Sequence, residues 1–452
     1  MVKVCRLGAA FTILLCAAAA PTVAASYKTL YAMTGTGDGA GPTGGFTDLH
    51  GTLYGVTTYG GATGNGTIVS LDPSTGTLTK LYDFTGAADG FFPQGNFIST
   101  GGLLYGLAQY GGAHGQGTLF SFNPATGKVT VLWNFTGSEG IVPGGSLIEV
   151  GGNLYGTAQY GGANGLGTVF MFAPSTATAT AVYSFRGGSD ALNPIAGLAS
   201  SSGMLYGTSP AGGANGQGAI YAVDPSTGIE SVAYSFTTGT DAAYPYAPLT
   251  AAQGKLFGTS ESGGANGAGT VFSFDPAAAK EAVLHSFSPD QDGSYPQAGL
   301  TFLHGVLYGV ASEGGPLGYG TIFSLTTAGD RLDVLQAFEF SEGDYPTAPP
   351  LLLAGMLYGT AGYGGANGQG SVYTLPMQGG ALSVLHSFTG STPIEDLGLN
   401  VLGKGIFALS SNGGSAGLGA LAAIAPSRAT TTLLHEFTAA SGFGPIGSLS
   451  SS

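Results

Sequence analysis

Eight aromatic residues recur at a nearly constant interval along this chain. Tyr54, Tyr105, Tyr155, Tyr206, Phe257, Tyr308, Tyr358 and Phe407 are 49 to 51 residues apart. Each lies in a Leu-Tyr-Gly-like triplet. A Gly-Gly pair follows a few residues later, beginning at Gly60, Gly111, Gly161, Gly212, Gly263, Gly314, Gly364 and Gly413. Self-similarity at a period of about 40–50 residues, with strand-like patterning inside the unit, is the signature of propeller blades.

One unit reads from Gly95 to Asn134. Asn96-Phe97-Ile98 is a short apolar strand and Thr100-Gly101-Gly102 a tight turn. Leu103 to Leu107 is a second strand, and a glycine loop runs from Tyr110 to Gly117. Thr118 to Phe122 forms a third strand, with Leu119 and Ser121 on one face and Thr118, Phe120 and Phe122 on the other. Asn123-Pro124-Ala125-Thr126-Gly127 has the composition of a turn between antiparallel neighbours. Lys128 to Phe135 is the fourth strand, and a link through Glu139 and Pro143 leads to the next unit. Gly and Pro recur too often for helices.

The expected architecture is an all-β β-propeller of eight four-stranded antiparallel blades, with nine blades or an open array as alternatives. Tyr27–Met33 and Leu433–Phe437 compete for the same outer-strand place, and Gly444–Leu449 repeats a first strand after the last unit. A ring closes when one terminus lends a strand to the other's blade. A membrane barrel would need strands of about 9–11 residues, longer than these. A solenoid would need polar capping repeats that neither end shows.

The first 25 residues read as a secretory leader. Lys3 and Arg6 precede an apolar run from Leu7 to Ala20, and Thr22-Val23-Ala24-Ala25 supplies a small-residue cleavage site. Cleavage after Ala25 leaves residues 26–452 as a single propeller domain, with no transmembrane segment. Cys5 and Cys16, the only 2 cysteines, leave with it, so no disulfide or thiolate metal site is available. Loss of Lys3 and Arg6 takes the formal net charge of −14 down by a further two. So acidic a chain is a poor partner for nucleic acid or an anionic membrane.

If the first strand of each unit lines the central channel, the tight turns fall on one rim, and the glycine loops and inter-blade links on the other. Two repeated features occupy the second rim. An acid stands four residues before a proline: Asp38, Asp89, Glu139, Asp190, Asp241, Asp292 and Glu342 precede Pro42, Pro93, Pro143, Pro194, Pro245, Pro296 and Pro346. These acids read either as a carboxylate ring that attracts cations or as caps that accept turn N–H bonds. One acid per blade cannot supply the 6–8 oxygens that calcium takes, which favours the caps.

The glycine loops carry the second feature. Tyr59, Tyr110, Tyr160 and Tyr363 precede Gly-Gly pairs and offer faces on which sugar rings stack, with packing between blades as the plainer role. Asn164, Asn215, Asn266 and Asn367 are their hydrogen-bonding neighbours. The loop is superficially like a phosphate cradle, but a strand follows it and no Gly-Lys-Ser/Thr occurs.

His285, His386 and His435 fill a repeat position held elsewhere by Tyr82, Trp133, Tyr183 and Tyr234, which marks a packing site rather than a metal site. No catalytic triad or metal pair is apparent, and no cofactor is expected. Arg186, Glu261, Glu313 and Glu395-Asp396 are the main departures from the repeat.

The string Leu-Tyr-Gly-Thr followed by Tyr-Gly-Gly-Ala-Asn-Gly-x-Gly-Thr-Val-Phe, as in Leu154 to Phe170, resembles the bacterial tandem-repeat family called GloVer, after Gloeobacter and Verrucomicrobia. The resemblance implies an exported bacterial protein, often with a C-terminal surface-sorting segment. The residues from Gly447 to Ser452 lack one. The Asp-Pro-Ser-Thr-Gly turns at 72–76 and 224–228 are also similar to those of quinoprotein propellers, but those carry a docking Trp in each blade, and Trp133 is the only one here.

The expected function is a secreted or surface propeller, non-catalytic and monomeric, that binds a glycan or a surface protein. A purely structural surface protein and a polysaccharide lyase or hydrolase are the alternatives.

Overall fold

The computed structural model describes residues 26–31, 40–42, 46–72, 77–237, 239–387, 397–402, 405–410 and 420–425. The leader, Asp38, the Glu395-Asp396 pair, His435, Leu433–Phe437 and Gly444–Leu449 lie outside them. Among the described residues every element is a strand, and every pairing of these strands is antiparallel.

The blade built on Tyr105 sets the pattern: Phe91–Thr100, Leu103–Tyr110, Thr118–Asn123 and Lys128–Asn134 pair in that order. The next blades run from Ile141 to Ser184, Ala199 to Ser235, Thr250 to Ser286, Thr301 to Ala337 and Leu351 to Ser387. The seventh joins Leu397–Leu402, Gly405–Ser410 and Ala420–Ala425 to the N-terminal strand Ser26–Tyr31. Ser26 faces Ala425 in that pairing.

The expectation of eight four-stranded blades is corrected here. Seven sheets have four antiparallel strands, and the remaining copy of the repeat forms a five-stranded sheet. In that sheet the inner edge pairs in two pieces. Ala40–Pro42 meets the far end of Thr52–Tyr59, and Thr47–Leu49 meets its near end. The matching segment Phe91–Thr100 stays one strand, with a register shift between Gln94 and Ile98. Proline offers no N–H to a ladder, and this stretch of the link carries Pro42 or Pro93.

The open array is also set aside. Ser26–Tyr31 completes the C-terminal blade while lying beside Thr77–Asp83 and Ser383–Ser387, and Ala40–Pro42 lies beside Gly405–Ser410. The two ends of the repeat array therefore meet. Inner strands are tied to their neighbours around the axis: Thr47 Oγ1 donates to Phe97 O at 2.7 Å, Thr250 Oγ1 to Leu300 O at 2.7 Å and Thr301 Oγ1 to Pro350 O at 2.6 Å. That places the first strand of each unit at the channel.

The repeated triplet has a packing cause. A Cβ on Gly106 would stand 2.7 Å from Phe120 Cζ, and one on Gly258 would stand 2.4 Å from Phe272 Cζ. The third-strand ring thus lies over the glycine, and the preceding Leu104 or Leu256 is fully buried. A phenylalanine ending each fourth strand then meets the third-strand ring of the next blade edge-on. Phe84–Phe120, Phe135–Phe170, Phe185–Tyr221, Phe236–Phe272, Phe287–Phe323 and Phe338–Tyr373 have centroids 4.9 to 5.2 Å apart. Such pairs add about 0.5–1.5 kcal/mol each beyond their burial. The core is accordingly a series of seams between blades, and it leaves the loops of one rim to carry other tasks.

Candidate functional site

Each described glycine loop closes on itself and grips the strand ahead. Gly117 N donates to Gly111 O at 3.1 Å, and Phe135 N donates to Gly117 O at 3.0 Å. Gly117 has φ +105°, and a Cβ there would strike Pro143 Cδ of the next link at 2.7 Å. Only glycine allows the loop to approach that proline so closely.

The repeated acids face inward from this rim. Asp89 Oδ2 accepts from the Tyr82 hydroxyl at 2.6 Å, and its carboxylate also accepts from Thr85 N, Thr85 Oγ1 and Gly86 N. Asp190 accepts from Tyr183, Arg186 N and Ala191 N, and Asp241 from Tyr234, Thr237 N, Thr237 Oγ1 and Ala242 N. Asp292 contacts His285 Nε2 at 2.8 Å and accepts from Ser288 N. Asp89, Glu139, Asp190 and Asp241 are buried. These carboxylates accept N–H and hydroxyl bonds from the links and the strand ends beside them. Burial, then the bond to aspartate, holds the hydroxyls of Tyr82, Tyr183 and Tyr234 far above the usual phenol range.

Sequence reading treats Tyr82, Trp133, Tyr183, Tyr234 and His285 as packing positions only. Tyr82, Tyr183 and Tyr234 also donate to these caps and His285 contacts one, and the signal is their spacing. Each Asp stands seven residues after its Tyr or His, whereas Glu139 and Glu342 stand six after Trp133 and Gln336. The longer side chain serves the shorter link: Gln336 Nε2 donates to Glu342 Oε2 at 3.1 Å. Glu139 is bound by Thr136 and Ser138 instead, and Trp133 Nε1 is left buried without a partner.

The loop asparagines anchor the loops. Asn164 Nδ2 donates to Phe185 O at 3.0 Å, Asn215 Nδ2 to Phe236 O at 3.1 Å and Asn266 Nδ2 to Phe287 O at 2.9 Å, while Asn367 occupies the same exposed place. The amide nitrogens of Asn164, Asn215 and Asn266 are thereby engaged, and all four side chains remain at the rim.

The four tyrosines differ. Tyr110 is 37% and Tyr160 41% exposed. Tyr59 and Tyr363 are half-buried. Phe92 joins Tyr59 and Tyr110 into one cluster, with ring centroids 4.8 and 5.9 Å away, and Phe91 stacks on Tyr110 at 5.6 Å. Tyr345 meets Tyr363 edge-on at 5.9 Å.

A second set of rim aromatics is absent from the sequence reading. The residue before six of the link prolines is left-handed: Phe92, Val142, Asn193, Tyr244, Tyr295 and Tyr345 have φ of 54° to 59°. Such a backbone costs an L-residue about 1–2 kcal/mol and is further opposed before proline. Hydrogen bonds hold it there. Asn193 N donates to Leu166 O, Tyr244 N to Gln217 O and Tyr295 N to Ala268 O, each in the preceding glycine loop. Tyr295 is 38% and Tyr246 41% exposed. An aromatic or other bulky residue just before the repeated proline was the available signal.

Carboxylates join these aromatics on one arc of the rim. Gln297 Nε2 donates to Glu261 Oε2 at 3.3 Å, and burial raises the Glu261 carboxyl against that bond. Asp344 is raised by burial, against the Tyr345 backbone bond, and the charge of Glu313 adds to the rise. Burial, Glu261 and Tyr244 likewise raise Tyr246. The scattered departures Glu261 and Glu313 thus belong to neighbouring loops, whereas Arg186 lies over the Tyr183 ring, 5.7 Å from its centroid. Among the described residues, no three His, Cys, Asp or Glu side chains group as a metal site.

The repeat model described as Gloeobacter/Verrucomicrobia repeat matches residues 20–203 and 151–354. The chain belongs to this repeat family. Three of the loop tyrosines, Tyr59, Tyr110 and Tyr160, and the capping acids Asp89, Glu139 and Asp190 lie within the first matched span of the repeat. No curated protein matches the chain.

Among solved structures, Sqt1 of Saccharomyces cerevisiae is similar with a TM-score of 0.58 at 13% identity, covering 88% of this repeat protein and 98% of Sqt1. A puromycin-hydrolyzing peptidase of Mycobacterium tuberculosis gives 0.47 at 10%, over 86% and 61%. TolB of Acinetobacter baumannii gives 0.34 at 16%, over 63% of each chain. The first supports the propeller fold alone. Among the described residues no helix is long and apolar enough to cross a membrane.

Proposed function

We propose that this repeat protein is exported and acts as a non-catalytic propeller that binds a neutral or amine-bearing glycan on the rim of glycine loops and links. The observation that carries this reading is the exposure of Tyr110, Tyr160, Tyr246 and Tyr295 on that rim. Buried packing tyrosines have no reason to present their rings to water, and aromatic faces suit the apolar faces of sugars. Amide side chains lie beside them: Gln109 Nε2 donates to Gln94 Oε1 at 2.6 Å, and Gln297 binds Glu261.

Charge narrows the ligand. Arg186 is the one Lys or Arg in the described glycine loops and inter-blade links, whereas Glu261, Glu313, Asp344, Asp290 and Glu339 supply carboxylates there. Like charges disfavour uronic acid or sulfated polymers. A glycan array with residues 26–452 tests the reading. Retention of neutral or amino glycans is expected. Retention of acidic glycans alone, or of none, would overturn it. Recovery from outside the cytoplasm with Ser26 as the first residue is the matching result for export.

One observation favours a second reading, a polysaccharide hydrolase. Asp344 has its carboxyl raised by burial and lies within reach of the charge of Glu313, as a general acid beside a second carboxylate would be. New reducing ends released from a bound glycan, and lost in Asp344→Asn, would establish it over the binding reading. Retention without release sets it aside.

A further inference from the structure

The repeat breaks at one seam of the rim, and it breaks at several positions at once. Four glycine loops carry asparagine where the loop at 314–320 carries Leu317. Asn164, Asn215 and Asn266 spend that side chain on the carbonyl of a strand-ending phenylalanine. Leucine cannot donate, and Leu317 is instead 50% exposed. Two residues past the equivalent phenylalanine, three other links hold Gly86, Gly137 and Gly187. A Cβ on Gly137 would stand 2.9 Å from Gln116 Oε1 of the loop beside it. In this seam the link has Phe340, and the loop has Tyr319 at the place of Gln116. The two rings meet with centroids 5.5 Å apart, and Phe340 remains 46% exposed. Departures that touch one another here put apolar surface into water that the usual residues of the repeat would not.

Carboxylates surround this pair at positions that hold no acid in those other blades. Glu313 stands where Tyr110 and Tyr160 stand, Asp344 where Phe91 and Ile141 stand, and Glu339 where Thr136 and Ser288 stand. Hydrogen bonds bring their segments together. Ser312 Oγ donates to Pro346 O at 3.1 Å, which sets the end of one second strand against the next link. Gly365 N donates to Phe340 O at 2.8 Å from the loop on the far side. Glu313 and Glu339 are exposed and Asp344 is half-buried. No Lys or Arg occurs in residues 312–320 or 338–346. Rim tyrosines flank the seam on both sides: Ser312 N donates to Tyr295 O at 3.3 Å, and Gly362 N donates to Tyr345 O at 3.1 Å.

We propose that this seam is a subsite for the free amino group of an amino sugar, whose apolar face lies on Phe340 and Leu317 while Glu313, Glu339 and Asp344 hold its ammonium. The subsite rests on the glycan reading above and narrows it to sugars with an unacetylated amine. An apolar centre with a charged margin suits a ligand that is apolar on one face and cationic at one edge. Aromatic rings attract the same cation. A neutral sugar would use the rings and leave the carboxylates without a partner, and a uronic acid would be repelled. Tyr295 and Tyr345 continue the platform on either side, which favours a chain of sugars over a lysine side chain.

The test is calorimetric titration of short glucosamine oligomers and their N-acetylated counterparts into residues 26–452 at about pH 6.5, where amines keep their proton. The wild type is expected to bind the amine-bearing oligomer at least about tenfold more tightly. Glu313→Gln/Asp344→Asn should erase that preference. Asp48→Asn/Asp330→Asn, which removes the same charge from exposed turns of the opposite rim, should keep it. Leu317→Asn, which restores the residue of the other loops, should weaken both oligomers. Should the Glu313→Gln/Asp344→Asn protein fail to fold, Glu313→Gln alone, at an exposed position, decides by the same loss of preference. Equal affinity of the wild type for the two oligomers would overturn the subsite and leave the rim reading standing. A preference that survives Glu313→Gln/Asp344→Asn would overturn it too, as would trilysine binding as tightly as the amine-bearing oligomer, the mark of a site for basic protein segments. Binding of neither oligomer also overturns the subsite; the rim reading falls with it only if the glycan array retains nothing.

Discussion

The Tyr183 hydroxyl donates to Asp190 Oδ2 across 2.7 Å, and Tyr82–Asp89 and Tyr234–Asp241 repeat the pair at 2.6 and 3.0 Å. Each pair joins the end of one blade to the link that begins the next. The acids so fixed hold the links whose pre-proline residues and glycine-loop neighbours make the rim. The rim's geometry is therefore set from beneath, by carboxylates that do not themselves reach solvent.

Removing one cap should be costly. Asp241→Ala strips acceptors from Tyr234, Thr237 and Ala242, and hydrogen bonds to a charged group are worth about 1.5–3 kcal/mol. A loss of that size in urea unfolding is expected. Asp290→Ala, at an exposed link position, should stay within about 0.5 kcal/mol. Equal effects would mean that the caps are ornamental.

The repeated glycine of the second strand should resist the smallest enlargement. A methyl on Gly258 would lie 2.4 Å from Phe272 Cζ and 3.0 Å from Leu249 Cδ2. Overpacking of this kind costs about 1–3 kcal/mol. Gly258→Ala should therefore lower stability by that amount, and Phe272→Leu in the same chain should recover part of it. The coupling is read from a double-mutant cycle in denaturant; strict additivity would mean that the ring does not rest on the glycine.

The propeller was legible because Gly106, Gly258 and their equivalents answer to one packing demand in every unit, and that demand writes a period into the chain. The count of four-stranded blades was less legible. The division of an inner edge into Ala40–Pro42 and Thr47–Leu49, against the unbroken Phe91–Thr100, depends on ladder details rather than composition. The Tyr–Asp pairs were hidden by a bulge. Val169 faces Tyr183 while the adjoining Phe170 faces Ala181, which leaves Val182 as an extra residue. The same shift recurs between Ile68 and Val69 and between Val271 and Phe272. A bulge re-aims the side chains beyond it, so alternation counted along the fourth strand puts Tyr183 on the wrong face. Tyr110 and Tyr160 were legible as rim residues from their loops. Tyr295 was not, because a left-handed residue before proline runs against local backbone preference.

Stability should peak at mildly acidic pH. On the acid side, burial alone would raise Glu139, but bonds from Ser138 and Thr136 together outweigh it and hold its carboxyl below the usual range. A lowered carboxylate contributes stability above its unfolded value, near 4.3, and loses it as pH falls through the folded one. On the alkaline side the raised Glu230 and Glu281 act oppositely. Urea midpoints across about pH 3 to 9 should rise and then fall, and Glu139→Gln should flatten the acid limb. A midpoint that climbs steadily to pH 9 would contradict the raised carboxyls of Glu230 and Glu281.

The rim reading faces its most direct test in calorimetric titration of an array-identified glycan into the wild type and into Tyr110→Ala/Tyr160→Ala/Tyr295→Ala. Each lost stacking contact should cost about 0.5–1.5 kcal/mol, so three engaged together predict at least about a tenfold loss of affinity with a melting temperature close to wild type. A folded triple variant that binds with wild-type affinity would contradict the account and move the ligand away from this rim.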